Sequence, residues 1–448
     1  MPHPDEGAPA PATEAPASYR AAGIAGVASY RRINDFLTTS VYARRRDKPG
    51  VCDFALGNPH DMPSEQYVSA YREALTPRNE AWYAYKTNEP AAREAAAASL
   101  ERHLGVGFHS EDLYLTTGGF TAIAMALKAI ADPGDEVIYS LPPWFCYEPL
   151  ITEAALVPVK VKINTDTFDV DLAAIAAAIT SRTRAVIVNS PNNPTGRIYP
   201  PELLTALAAL LEEASGRIGR RIYLISDEAY NRIVFDGARF HSPAEFYPYT
   251  LVAYTYGKTH LAPGERIGYL ALPAAMPVRS QLADALAALQ LAMGWIYPNA
   301  VLQHALPALE QFTIDIDALE RKRDLMVEAL SGMGYRIRKT EGSFYLYIPS
   351  PGPDDMVFTE EVGADGVLVM PGALFETPGF FRVSLTASED MVRRSLPVFE
   401  EALRRHGLPV RVPGLAVASA PLPRRRRRAT RRRPSLTWPP PTGRRGRG

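Results

Sequence analysis

An α/β fold built on a mostly parallel sheet, covered on both faces, is predicted by two observations. Short apolar runs lack polar alternation, and helix-period segments lie between them. The runs are VIYS (137–140), LVPVKV (156–161), AVIVN (185–189), IYLIS (222–226), LVAYT (251–255) and IGYLAL (267–272). A strand with one wet face alternates, so unbroken apolarity indicates strands buried on both sides. Helical patterns at 119–131, 171–180 and 200–214 separate several of these runs, and another at 279–293 follows the last. A strong amphipathic pattern covers 315–332. Short strand and helix signals then alternate to His406, as expected of a smaller second domain. Residues 1–28, Pro-rich and then Ala-Gly-rich, read as a flexible arm. Gly407 ends the last helical pattern, and the Pro- and Arg-rich stretch 408–448 lacks the apolar surface to order itself.

At 448 residues the chain is too long for one small core, and about 150 residues per domain suggests two or three units. Hydrophobic content of 46% and charged content of 22% are those of a globular protein, not of a disordered or membrane one. No apolar run reaches the roughly 20 residues that span a bilayer. The first 20 residues carry Asp5, Glu6 and Glu14 and lack a basic start before an apolar block, so they do not read as a secretory signal. A cytoplasmic location is the expectation. Cys52 and Cys146, the only cysteines, are too few for a disulfide framework and lack metal-knuckle spacing; no metal is expected.

The net charge of +0 conceals an asymmetry. Residues 424–448 hold eleven arginines and no acid, so the other 423 residues carry 49 − 11 = 38 basic against 49 acidic side chains, a body of −11. Such a tail can neutralise phosphates of nucleic acid or anionic lipid. The duller explanations, which are preferred, are a solvated tail, a contact with the acidic body, or a spurious extension of the reading frame. No membrane partner is expected, and a nucleic-acid partner only through 424–447.

The chemistry concentrates in TYGKTHLAPGERIGY (255–269), where Lys258 precedes an apolar strand and Arg266 follows eight positions later. The pair fits an imine-forming amine beside a phosphate clamp, as in a pyridoxal-phosphate enzyme. Alone, such spacings recur on solvated helix faces. Two upstream segments add weight: SPNNPTGRIYP (190–200) and YLISDEAYNRIVFDG (223–237). Asp227 closes the run IYLIS, at the carboxyl edge of a central strand, where ligands of open α/β sheets bind. Gly118 and Gly119, in TTGGFTAIAMALKAI (116–130), open a helix whose N-terminus attracts phosphate.

In order and approximate spacing these segments resemble the class I/II pyridoxal-phosphate aminotransferases of the aspartate aminotransferase fold (fold type I), over roughly residues 30–406. The resemblance implies a three-layer sandwich at 66–309 and a smaller α+β domain assembled from 29–65 and 310–407. It implies pyridoxal 5′-phosphate held through a Lys258 Schiff base, with Lys258 also shuttling the substrate proton. Asp227 would keep the pyridine nitrogen protonated. Tyr230 and Asn193 would donate to the ring hydroxyl oxygen. Gly118, Gly119, Phe120, Thr255 and Arg266 would bind the phosphate end, joined by Tyr85 from a neighbouring subunit of an obligate homodimer. Trp144 would stack on the pyridine, with Phe145 or Tyr147 as alternatives. Arg382, Gly57 and Asn193 would grip the α-carboxylate of the amino acid. Transfer of an amino group between an L-amino acid and a 2-oxo acid is the expected reaction. Elimination or cyclisation in the manner of aminocyclopropane-carboxylate synthases uses the same residues.

One departure stands out. The best-known aspartate aminotransferases hold the side-chain carboxylate with a second arginine from the segment that reads LAMGWIYPNAVLQ here, and no Lys or Arg occurs between Arg279 and Arg321. Met293, Trp295 and Tyr297 suggest an apolar or aromatic pocket, or simply core packing. A regulator carrying a winged-helix module would need about 60–80 residues ahead of the body, and fewer than 30 precede Tyr30. A catalytically dead scaffold is disfavoured because Lys258, Asp227, Asn193, Tyr230, Arg266 and Arg382 all coexist.

Overall fold

The computed structural model describes residues 17–294 and 297–407. Its centre is a seven-stranded sheet of β1 (Leu113–Thr116), β2 (Glu136–Leu141), β3 (Val157–Lys162), β4 (Thr183–Asn189), β5 (Tyr223–Asp227), β6 (Thr250–Thr255) and β7 (Gly268–Ala271), in spatial order β1-β7-β6-β5-β4-β2-β3. Only β7 runs against its neighbours, β1 and β6; the remaining pairs are parallel. The expected strands are all present, with ends within a few residues of the apolar runs.

The unbroken apolar runs have the expected cause except at the sheet edge, where β3 has one neighbour, Val157 is exposed and only Val161 is buried. Val137, Tyr139, Ala185, Ile187, Tyr223 and Ile225 pack on one face of the sheet against the helix Gly119–Ile130. Their neighbours Ile138, Val186, Val188 and Leu224 pack on the other face against Leu204, Leu207 and Leu211 of the helix Pro201–Ile218. Alternate residues of each strand therefore enter different cores, and helix, sheet and helix form three layers.

A second, antiparallel sheet joins Met370–Pro371, Phe380–Ser384 and Tyr345–Pro349, with Phe380–Ser384 in the middle. The helices Ile316–Met333 and Glu389–Arg405 cover it through Leu319, Met326, Leu330, Val392 and Phe399. The early chain returns to this part of the molecule: Cys52–Asp53 pairs parallel with Val367–Leu368, and Ile33, Phe36, Val41 and Tyr42 share a core with Leu368, Met370 and Phe375.

The expected arm is shorter than 28 residues, because Tyr19–Gly26 is a helix. Ser18 caps it by accepting from the Ala21 N–H at 3.2 Å, and Arg20 holds Glu153 at 2.7 Å. A cap and a tertiary ion pair outweigh the Ala-Gly-rich composition. The Arg-rich tail lies outside the described residues.

Candidate active site

Three strand ends of the large sheet define the floor of the site. Asn189 and Asp227 are register partners at the ends of β4 and β5, and Asp227 is opposite Ala253 in β6. Two residues further, β6 ends at Thr255 and turns into the one-turn helix Tyr256–Thr259, which carries Lys258. Because β7 reverses against both β6 and β1, β1 also points its carboxyl end this way and delivers Gly118 and Gly119 to the same edge. A parallel sheet collects its C-terminal loops on one side, which brings residues 118, 189, 227 and 258 together.

The cavity at this edge measures about 250 Å³ and is lined by Lys258, Asp227, Tyr230, Thr255, Arg266, Asn193, Gly119, Phe120, Trp144, Gly57 and Arg382, whereas Gly118 and Tyr85 of the expected set do not line it. Asp227 is buried. Burial pushes its carboxyl up to about 6, against the pull of a hydrogen bond from Tyr147, the Ala229 N–H and the charge of Lys258. The Tyr147 hydroxyl donates to Asp227 Oδ2 at 2.6 Å, and Asn189 Nδ2 donates to the Asp227 carbonyl at 2.8 Å. The next residue, Glu228, turns the other way and accepts from Ser226 at 2.9 Å and from Ser242 at 2.5 Å. Only the first acid of the DEAY segment faces the cavity.

Lys258 Nζ lies 6.0 Å from the Tyr230 ring centre and 5.8 Å from that of Phe344. Tyr230 shares a hydrogen bond with Tyr345, and the protons of the pair are unequal. Burial first, then Tyr345, holds the Tyr230 hydroxyl well above its ordinary value. Burial also opposes ionisation of Tyr345, but Arg382, Lys258 and Tyr230 outweigh it and hold Tyr345 below the ordinary value.

At the helix end, Gly118 caps Gly119–Ile130 at φ +92°. A Cβ there would sit 2.9 Å from Arg266 Nη2, so the glycine admits the guanidinium to the helix N-terminus as well as the positive φ. Arg266 is fixed by Nη1 donating to the Pro263 carbonyl at 2.8 Å. The first N–H groups of the helix have no intrahelical acceptor, so with Arg266 and Thr255 they make a cradle for a dianion.

At the opposite end Arg382, from the middle strand of the small sheet, is buried and lies over the Tyr345 ring at 4.0 Å. Its Nη1 donates to Asn193 Oδ1 at 2.9 Å and its Nη2 to the Ala55 carbonyl at 2.6 Å. Its buried Nε has no partner. Gly57 belongs here for a steric reason: a Cβ would meet Tyr345 Oη at 2.6 Å.

Trp144 stands in the cavity wall, edge-on to Phe120 at 5.1 Å and to Tyr147 at 5.6 Å. Tyr147 was the alternative stacking ring; its hydroxyl on Asp227 and its burial in the core give it a supporting part instead. Tyr85 is fully exposed and lies outside the cavity, lining a surface depression with Tyr83 and Tyr297. Met293 packs on the large core beside Ala129 and Leu289. Neither Met293 nor Tyr297 lines the Lys258 cavity, and Trp295 lies outside the described residues. Sequence reasoning missed Asn189 and Tyr345, which sit in apolar strand runs and look like core positions, and it gave Tyr147 no role at the acid.

The residues fit pyridoxal phosphate. An amine, a buried carboxylate with room beside it, an anion cradle and an arginine with a spare donor all face one cavity.

Comparisons with known proteins agree with the geometry. The family model for aminotransferase class I and II matches residues 49–398. The aspartate/prephenate aminotransferase of Thermus thermophilus is 33% identical over 375 residues, covering 81% of this chain and 93% of the relative. A probable aspartate/prephenate aminotransferase of Thermus aquaticus is 34% identical, covering 82% and 96%. Among solved structures, an aminotransferase from Eubacterium rectale has a TM-score of 0.80 at 30% identity, covering 88% of this chain and 100% of that one. An aspartate aminotransferase single mutant from Thermus thermophilus has a TM-score of 0.75 at 31% identity, covering 87% and 100%. The chain belongs to the class I and II aminotransferases. It is a pyridoxal-phosphate-dependent aminotransferase, a transferase acting on an amino acid and a 2-oxo acid.

Proposed function

We propose that Lys258 is the residue that carries the cofactor and moves the substrate proton, with Asp227 and Arg382 fixing the two ends of the reacting assembly. One observation carries this reading: Lys258 and Arg266 from one segment, and Asp227 and Arg382 from two others distant in sequence, line a single cavity. When bound, pyridoxal phosphate supplies an aldehyde for the amine and an electron sink for the substrate's Cα. Asp227, anionic, would face the ring nitrogen, with the Tyr147 hydrogen bond holding the carboxylate in orientation. Tyr230 and Asn193 would bind the ring oxygen. Gly118, Gly119, Phe120, Thr255 and Arg266 would hold the phosphate, and Trp144 would cover the ring face.

On the substrate side, Arg382 would offer an α-carboxylate its unpartnered Nε and the N–H groups left free by Asn193 and Ala55, with the Gly57 backbone joining it. Asn193 already orients the fork. With pyridoxal phosphate in place, the Lys258 amine would take the proton from the substrate's Cα and give it back as the reaction proceeds, acting as general base and then acid. Lys258→Ala should show no turnover and no visible cofactor band, whereas steady turnover by that variant would refute the assignment.

A homodimer belongs to the same proposal. Tyr85 is a fully exposed aromatic residue beside Tyr83 and Tyr297, a surface suited to a second copy that receives the Tyr85 hydroxyl at its phosphate. We also assign 29–65 and 310–407 to a small domain and 66–309 to a large one, supported by the shared core of Phe36, Tyr42, Leu368 and Phe375. A cytoplasmic setting is supported by Cys52 and Cys146 being free thiols.

A further inference from the structure

We infer that the amino donor carries an apolar, preferably aromatic, side chain, and that Phe120 is the residue that selects it. This rests on the reading of the Lys258 cavity as the site of amino transfer, and deepens it.

Phe120 is out of character with its helix. Thr121 to Leu127 are all buried, yet Phe120 keeps 40% of its surface accessible and turns it into the cavity. The expectation from sequence placed this residue at the phosphate, a task that needs only its backbone N–H and leaves its ring unexplained. That ring continues a wall. Phe120 meets Trp144 edge-on at 5.1 Å, Trp144 meets Phe145 at 6.3 Å, and Phe145 meets Phe375 at 6.4 Å. Phe375 in turn lies 4.9 Å beneath the Arg382 guanidinium. A row of rings therefore leads away from the arginine that holds the α-carboxylate, and Phe120 stands at its far end.

The charges of the cavity point the same way. Among the described residues, its lining cations are Lys258, Arg266 and Arg382, and its one acid is Asp227. Lys258 is committed to the cofactor. Arg266 is tied to Pro263 at the helix N-terminus, and Arg382 to Asn193 and Ala55. Among the described residues of one chain no lining cation remains for a carboxylate on the substrate's side chain, which would be desolvated against aromatic faces without a partner. A phenyl or phenol ring there makes edge or offset contact with Phe120, beside the Trp144 that covers the cofactor ring. Discrimination between such donors follows from an unpaired charge on one and ring packing on the other, and should reach at least about tenfold.

The test is a single-turnover titration of the holoenzyme with phenylalanine, tyrosine, alanine and aspartate, following the visible cofactor band, repeated on Phe120→Arg and Phe120→Ala. Phenylalanine and tyrosine should exceed aspartate in rate per concentration by about tenfold or more. Phe120→Arg should shift the ratio toward aspartate, because a guanidinium fork replaces the ring. Phe120→Ala should lower the rate with phenylalanine more than with alanine. An enzyme that prefers aspartate, or whose donor ratio is the same in all three proteins, overturns the inference while leaving amino transfer intact. If no donor changes the band, the transfer reading fails and takes this inference with it. The band before donor is added reports cofactor loading in each variant separately.

Discussion

Asp227 shows how a single residue ties the fold to the chemistry. Its carboxyl has an ordinary value of 3.8 and is pushed up to about 6 by burial in the cofactor-free chain. The folded state then binds more protons than the unfolded state between those values, so stability falls as pH rises through the window. The contribution is fully present below about pH 4 and lost above about pH 6, a change of roughly 3 kcal/mol in the cofactor-free protein. Asp227→Asn removes it, so the gap in melting temperature between apo variant and apo wild type should widen in favour of the variant from pH 4 to pH 7. A pH-independent gap would contradict the buried-acid account. Tyr147→Phe takes away the one side-chain donor to this carboxylate. We expect a loss of about 1–3 kcal/mol in denaturant titrations at pH 7, larger than at pH 4, where the acid is neutral.

At the scale of elements, the N-terminus of Gly119–Ile130 is the most sensitive point. Gly118→Ala adds a Cβ at φ +92° and 2.9 Å from Arg266 Nη2. Strain of about 1–3 kcal/mol is expected, together with displacement of the arginine. Cofactor affinity, measured by fluorescence titration, should fall at least about tenfold; unchanged affinity would remove Arg266 from the cradle. The elements themselves were legible wherever pattern and environment agree. Five of the six apolar runs became strands buried on both faces, as Ile138 and Tyr139 illustrate by entering opposite cores, while the edge strand Val157–Lys162 buries only Val161. Legibility failed where a tertiary contact overrides composition, as when Ser18 and the Arg20–Glu153 pair make a helix from an Ala-Gly-rich segment. In the site, motif residues with unusual chemistry, such as Lys258, Asp227 and Arg382, could be found. Tyr345 and Asn189 could not. Both sit in apolar strands, and only the register that sets Asn189 opposite Asp227, and Tyr345 against Gly57 and Arg382, reveals their use.

For the whole molecule, the account requires two chains. Tyr85 contributes nothing to its own cavity, so Lys258→Ala homodimers and Tyr85→Phe homodimers should each be impaired, while mixed dimers recover one intact site. Mixing the two variants under subunit exchange should raise activity above the mean of the separate samples. Activity equal to that mean would confine Tyr85 to a surface role. Removal of residues 408–448 should leave kcat and KM unchanged, because no residue assigned to the cavity lies there. The central claim is nonetheless local, and it is tested most directly by reducing the purified holoenzyme with borohydride, digesting it and weighing the peptides. The account predicts that the reduced cofactor is fixed to Lys258 alone; label on another lysine, or on none, would contradict it.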